Sequence, residues 1–93
     1  MVNVIKVSPL INSASAVALT LPTISSAGYN GVYYKITNAG AGTVTITYAG
    51  SQYFNNQSGT TTITLATGKC CHISAIWNST GYWAIWSNTG TLT

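Results

Sequence analysis

Apolar and polar residues alternate with a period of two along most of the chain, and this pattern constrains the fold more than any other feature. Successive strand residues point to opposite faces of a sheet, so strict alternation specifies a strand with one dry and one wet side. Val17, Leu19 and Leu21 alternate with Ala18 and Thr20, and Val32, Tyr34 and Ile36 alternate with Tyr33, Lys35 and Thr37. Val44, Ile46 and Tyr48 alternate with Thr43, Thr45 and Thr47, and Ile63 and Leu65 repeat the pattern within 60–66. No window carries the i, i+3, i+4, i+7 stripe of an amphipathic helix. Pro22 ends one strand because proline cannot donate to a ladder. A Ser/Gly/Asn loop follows at 23–31, and Asn38-Ala-Gly-Ala-Gly42 reads as a hairpin connection. The segment 49–59 is polar except for Tyr53 and Phe54, which are expected to fold back onto the core. Strands at 70–77 and 82–87 are joined by a short hairpin loop, Asn78-Ser-Thr-Gly81. The spacing predicts an all-β fold, a small antiparallel β-sandwich or jelly-roll-like domain of about seven to eight short strands. One domain spans 1–93: a first strand at Val2, Val4 and Val7, ended by Ser8-Pro9, lies within a lead-in over 1–15, and 88–93 form a tail.

Three Lys and one His are opposed by no Asp or Glu. Without side-chain carboxylates the chain cannot build an acid/base pair, a Ser-His-Asp relay or an oxygen-rich cation cage, so the expectation is no enzyme, no cofactor and no metal. Lys6, Lys35 and Lys69 are far apart in sequence, which argues against nucleic acid because phosphate affinity scales with the number of phosphates neutralised. No apolar run approaches the roughly 20 residues of a membrane span, so no membrane insertion is expected. Cys70 and Cys71 are neighbours on a strand and point apart, which predicts two thiols rather than a bridge.

Several segments occur in a telling order: Leu19-Thr-Leu-Pro22, Tyr33-Tyr-Lys-Ile-Thr-Asn-Ala-Gly40, Gly42-Thr-Val-Thr-Ile-Thr-Tyr-Ala-Gly50, Thr60-Thr-Thr-Ile-Thr-Leu65, Ala66-Thr-Gly-Lys69 and Trp77-Asn-Ser-Thr-Gly-Tyr-Trp-Ala-Ile85. Together they make the block 16–87 resemble a β-strand module of phage and viral tail fibres, tailspikes and virion adhesins. The resemblance implies a compact β-sandwich in a trimeric structural or host-recognition part of a virus particle. The family's acidic residues are missing from Ser51–Asn56 and from Gly68-Lys69, which removes the basis for a family-like cation site. Met1 and the short lead-in imply a small virion protein in its own right.

Aromatic residues concentrate in the last hairpin, where alternation groups Trp77 and Trp86 with Tyr82 on one face and Trp83 with Ile85 on the other. With both faces apolar, one is covered by something beyond this sheet's own core, and three readings stand: packing within the sandwich first, then a subunit interface, then a sugar-stacking platform. Tyr33, Tyr53, Trp83 and Ile85 are the candidate interface residues. Phe54, Asn55, Asn56, Asn78 and Tyr82, in the polar loops and at the hairpin tip, are the candidate contacts to a receptor or glycan. His72 lies beside the two thiols, too few ligands in one chain for structural zinc. The expected function is that of a non-enzymatic structural protein of the virion (a minor capsid, decoration, fibre or spike subunit). It would assemble as a homotrimer and meet other virion or capsid proteins. The alternative is a module on the virion surface that binds a host-surface glycan or receptor.

Overall fold

In a computed structural model that describes residues 6–7 and 10–93, the alternation becomes two packed sheets. The elements are β1 (Lys6–Val7), β2 (Leu10–Ile11), β3 (Val17–Thr20), a single 3-10 turn (Ala27–Tyr29), β4 (Tyr33–Asn38), β5 (Val44–Thr47), β6 (Thr62–Leu65), β7 (Cys70–Trp77), β8 (Gly81–Asn88) and β9 (Thr91–Leu92). The first sheet has the order β1-β4-β7-β8, with β2 also on β4; the second has the order β3-β5-β6-β9. Val2, Val4 and the Ser8-Pro9 stop of the expected first strand lie outside the described residues.

The inward residues of both sheets form one cluster: Ile36, Cys71, Ile73, Ala75 and Trp83 from the first, Val44, Ile46, Ile63 and Leu65 from the second. Each large apolar side chain so enclosed contributes about 1.5–3 kcal/mol relative to exposure, and this is what presses the sheets together. The chain is therefore the all-β, sandwich-like domain that the alternation specifies. Its sheets are mixed rather than wholly antiparallel. β3 runs parallel to β5, and β1 and β2 run parallel to β4, while β4–β7, β7–β8, β5–β6 and β6–β9 are antiparallel. The parallel pairs arise because the chain crosses to the opposite sheet between paired strands and returns in the same direction. The tail is not loose either, since Thr91–Leu92 closes the edge of β6.

The segment 38–42 is corrected from a hairpin to a crossover, because β4 and β5 belong to different sheets. Its glycines are not needed for positive φ, which occurs instead at Gly31, Gly50 and Gly68. They are needed for close approach: a methyl group at Gly40 would strike the Ser13 backbone, and one at Gly42 the Ser15 carbonyl. Asn38 fixes the crossover. Its buried Nδ2 donates to the Gly42 and Leu65 carbonyls, each at 2.8 Å, and its Oδ1 accepts from the Gly40 N–H at 3.0 Å.

The two outer faces differ in chemistry. On the second sheet, register aligns Thr20, Thr47 and Thr62 in one row and Ala18, Thr45, Thr64 and Thr91 in the next. Hydroxyls meet along the first row, with Thr62 and Thr93 Oγ1 2.6 Å apart. β-Branched threonine suits such a wet, pleated surface. The outer face of the first sheet is aromatic instead.

Replacing Asn38 with Ala removes three buried hydrogen bonds and strands two carbonyls and an N–H. Asn38→Ala is expected to lower stability by about 2–4 kcal/mol. The effect is read as a lower urea midpoint at unchanged slope.

Candidate functional site

The long hairpin of β7 and β8 builds the aromatic face. Antiparallel partners share a face, and here Ala75 pairs with Trp83 and Trp77 with Gly81. Trp77 therefore packs against the core beside Trp83 rather than turning outward with Trp86 and Tyr82. Nearer the open end the register slips. Ile73 pairs with Ile85 but His72 with Ser87, so Trp86 is the extra residue of a bulge. Bulges of this kind bend the strand and re-aim a side chain.

The Trp86 indole is 69% exposed and, with Leu10, is one of two large hydrophobics exposed among the described residues. It is not loose, because its Nε1 donates to Ser74 Oγ at 2.7 Å. On β7 the His72 ring lies 6.4 Å from the Trp86 ring, and Tyr33 on β4 lies 5.0 Å from His72 on the other side. Three rings thus cross three neighbouring strands. Tyr33, His72, Ser74, Ile76 and Trp86 line a shallow depression of about 390 Å³. Lys35, exposed, stands directly across from His72 on β4, and Lys6 on β1 holds the register position beside Tyr33.

Of the residues selected from the sequence, Tyr33 belongs to this site and Tyr82 lies on the same face, opposite Ile76. Trp83 does not. It is fully enclosed, stacked 5.6 Å from the Tyr34 ring, and its buried Nε1 has no hydrogen-bond partner, so it presents no surface to another subunit. Phe54 is likewise removed from the candidate contacts. It folds back onto the core as expected, fully buried with its ring 5.4 Å from Tyr48.

Tyr53 is half-buried edge-on to Tyr48, and Ile85 packs half-buried against the core. Asn55 and Asn56 are exposed with left-handed backbones, φ 53 and 57. Asn55 is already engaged within the fold. Its N–H donates to the Trp83 carbonyl and its Oδ1 accepts from the Ile85 N–H, covering the edge of β8. Asn78, also exposed, accepts a 3.3 Å bond from the Thr80 hydroxyl at the hairpin tip. These loop residues are not brought together with the aromatic depression. Trp86, His72 and Lys35 were missed as site residues because their meeting depends on cross-strand register and on the bulge. The aromatic-rich hairpin was the only signal in the sequence.

What the face can do is bind. It offers ring surfaces for stacking, hydroxyl and imidazole groups for hydrogen bonds and a lysine for an anion, but no carboxylate to pair with a base. The two thiols are free and point apart, Cys71 buried among core residues and Cys70 half-exposed on the outer face. Burial, with a smaller contribution from Cys70, pushes the Cys71 thiol up to about 11. No family model matches this chain, and no curated protein or solved structure matches it either.

The folded chain thus retains the Cys71 proton at pH values where the unfolded chain, with an ordinary thiol near 9.0, has released it. Stability is therefore expected to fall as pH rises from about 9 toward 11, and to fall less in Cys71→Ala. Denaturation midpoints across that range check this. A thiol reagent at pH 8 should label Cys70 first and Cys71 only on unfolding, as read by peptide mass.

Proposed function

We propose that this chain is a non-enzymatic structural protein of a virus particle, displayed at the surface and meeting a host-surface glycan through the outer face of its five-stranded sheet. The observation that carries the reading is Trp86, exposed yet held by Ser74 at the rim of a depression shared with Tyr33 and His72. An aromatic ring fixed in place in open solvent is a stacking surface prepared in advance, and such preorganisation lowers the cost of binding. The virion setting and the docking onto other virion or capsid proteins come from the resemblance of the 16–87 block to viral fibre and adhesin modules.

A second reading, homotrimer formation through the same face, is favoured by one observation. Leu10 aligns with Thr37 and shares this face, so both large exposed hydrophobics lie on it.

Binding of the full chain to a glycan array tests the first reading. Trp86→Ala should reduce binding at least about tenfold while leaving the unfolding temperature unchanged, as expected for an exposed position. Wild-type protein that binds no glycan, or a variant that binds as well as wild type, overturns it. Sedimentation of the same two proteins tests the second: a trimer that dissociates on Trp86→Ala assigns the face to assembly.

A further inference from the structure

Lys35 carries a charge that no side chain of its own molecule can neutralise, because the sequence contains no Asp or Glu. It is exposed on β4, two residues from Tyr33 on the same face and directly opposite His72. In an antiparallel pair, opposed side chains start about 4.5–5.5 Å apart, so the Lys35 side chain starts beside His72, one of the residues that line the depression. Lys6, placed beside Tyr33 by the parallel β1–β4 register, brings two of the chain's three lysines into adjoining strand positions. Lys69 lies elsewhere, in the turn before β7.

We infer that the corner formed by Tyr33, Lys35, His72 and Trp86 is a binding site for an acidic sugar, a pyranose ring bearing a carboxylate. The inference rests on the glycan-attachment reading and specifies its ligand. The C–H faces of a pyranose pack on aromatic rings, here Trp86 and Tyr33 on either side of His72. The carboxylate then lies toward Lys35, where a charge-assisted hydrogen bond supplies both affinity and orientation. Ser74 Oγ is already engaged with the indole, so that bond holds the ring before any ligand arrives. A volume of about 390 Å³ is at the small end of ligand sites and suits one or two sugar rings. A single nucleic-acid strand would also stack on these rings. It calls for cations tracking a backbone across several nucleotides, whereas among the described side chains only Lys35 starts beside the rings.

Binding of the full chain is measured against three probes: oligosaccharides ending in a uronate or sialate, the corresponding neutral oligosaccharides, and a short single-stranded oligonucleotide. The acidic glycans should bind about tenfold more tightly than the neutral ones, the size of effect expected for one hydrogen bond to a charged group. Lys35→Gln should bring them down to the neutral level with unchanged unfolding temperature, and Trp86→Ala should abolish both. Equal binding of acidic and neutral glycans overturns the acidic-sugar site and leaves glycan attachment standing, as does a preference that survives Lys35→Gln. No binding to any glycan overturns both. Tighter binding of the oligonucleotide overturns the sugar assignment.

Discussion

Carboxamide side chains hold this sandwich at the points where its chain leaves the sheets, and the rest of the structure depends on them. A chain without carboxylates cannot tie its loops with ion pairs, whereas an amide presents an acceptor and two donors on one short arm. Asn38 locks the crossover between the sheets from a fully buried position. Gln52 exchanges hydrogen bonds with both backbone groups of Ile24, as a strand neighbour would, and pins the loop after β3. Asn30 accepts from the Trp77 N–H at 2.6 Å and fixes the end of β7. Asn55 completes the set at the edge of β8. Because these bonds are neutral, they carry no charge whose protonation would loosen them, and burial makes those of Asn38 costly to break.

That arrangement leaves one face of the sandwich uncovered. Sheet edges with unpaired backbone invite pairing with other chains, and natural proteins cover them. Here the 53–55 segment lies along β8, bonding both backbone groups of Trp83 and the Ile85 N–H. The core is closed from within, with Phe54 and Trp83 at its centre. The second sheet turns threonines to solvent. What remains is the outer face of the first sheet, where strand pairing brings an indole, an imidazole, a phenol and a lysine onto neighbouring strands. The same strand pairing that builds the sheet brings these side chains together, so the fold and the site share one cause.

The inward set was legible because period two fixes it: Val44, Ile46, Ile63, Leu65 and Ile36 are all buried. The return of Phe54 to the core was legible for a similar reason, a large ring in an otherwise polar loop. The hairpin at 38–42 misled because two glycines in a short loop are equally compatible with a tight turn and with a backbone passing close to another. Trp83 was expected at an interface because the last hairpin looks apolar on both faces. In the folded chain Tyr82, Ala84 and Trp86 face outward, but only Trp86 is largely exposed. The hairpin's inner face, with Trp83, is therefore closed by the chain's own core. Strand pairs β2–β4 and β6–β9 were not visible at all: two-residue strands have too little pattern to announce themselves.

By itself the sequence determined that the chain is β throughout, which side of β3 to β6 is dry, and that its chemistry excludes carboxylate catalysis. These follow from side-chain direction and from composition, which are local properties. Only the tertiary structure decided which strands are neighbours, that the chain crosses between sheets after Asn38, and that Tyr33, Lys35, His72 and Trp86 share a corner. Those outcomes depend on cross-strand register, and register is set by the whole core closing at once. The pairing of β7 with β4 on one side and β8 on the other, silent in the sequence, decides which rings the exposed indole meets.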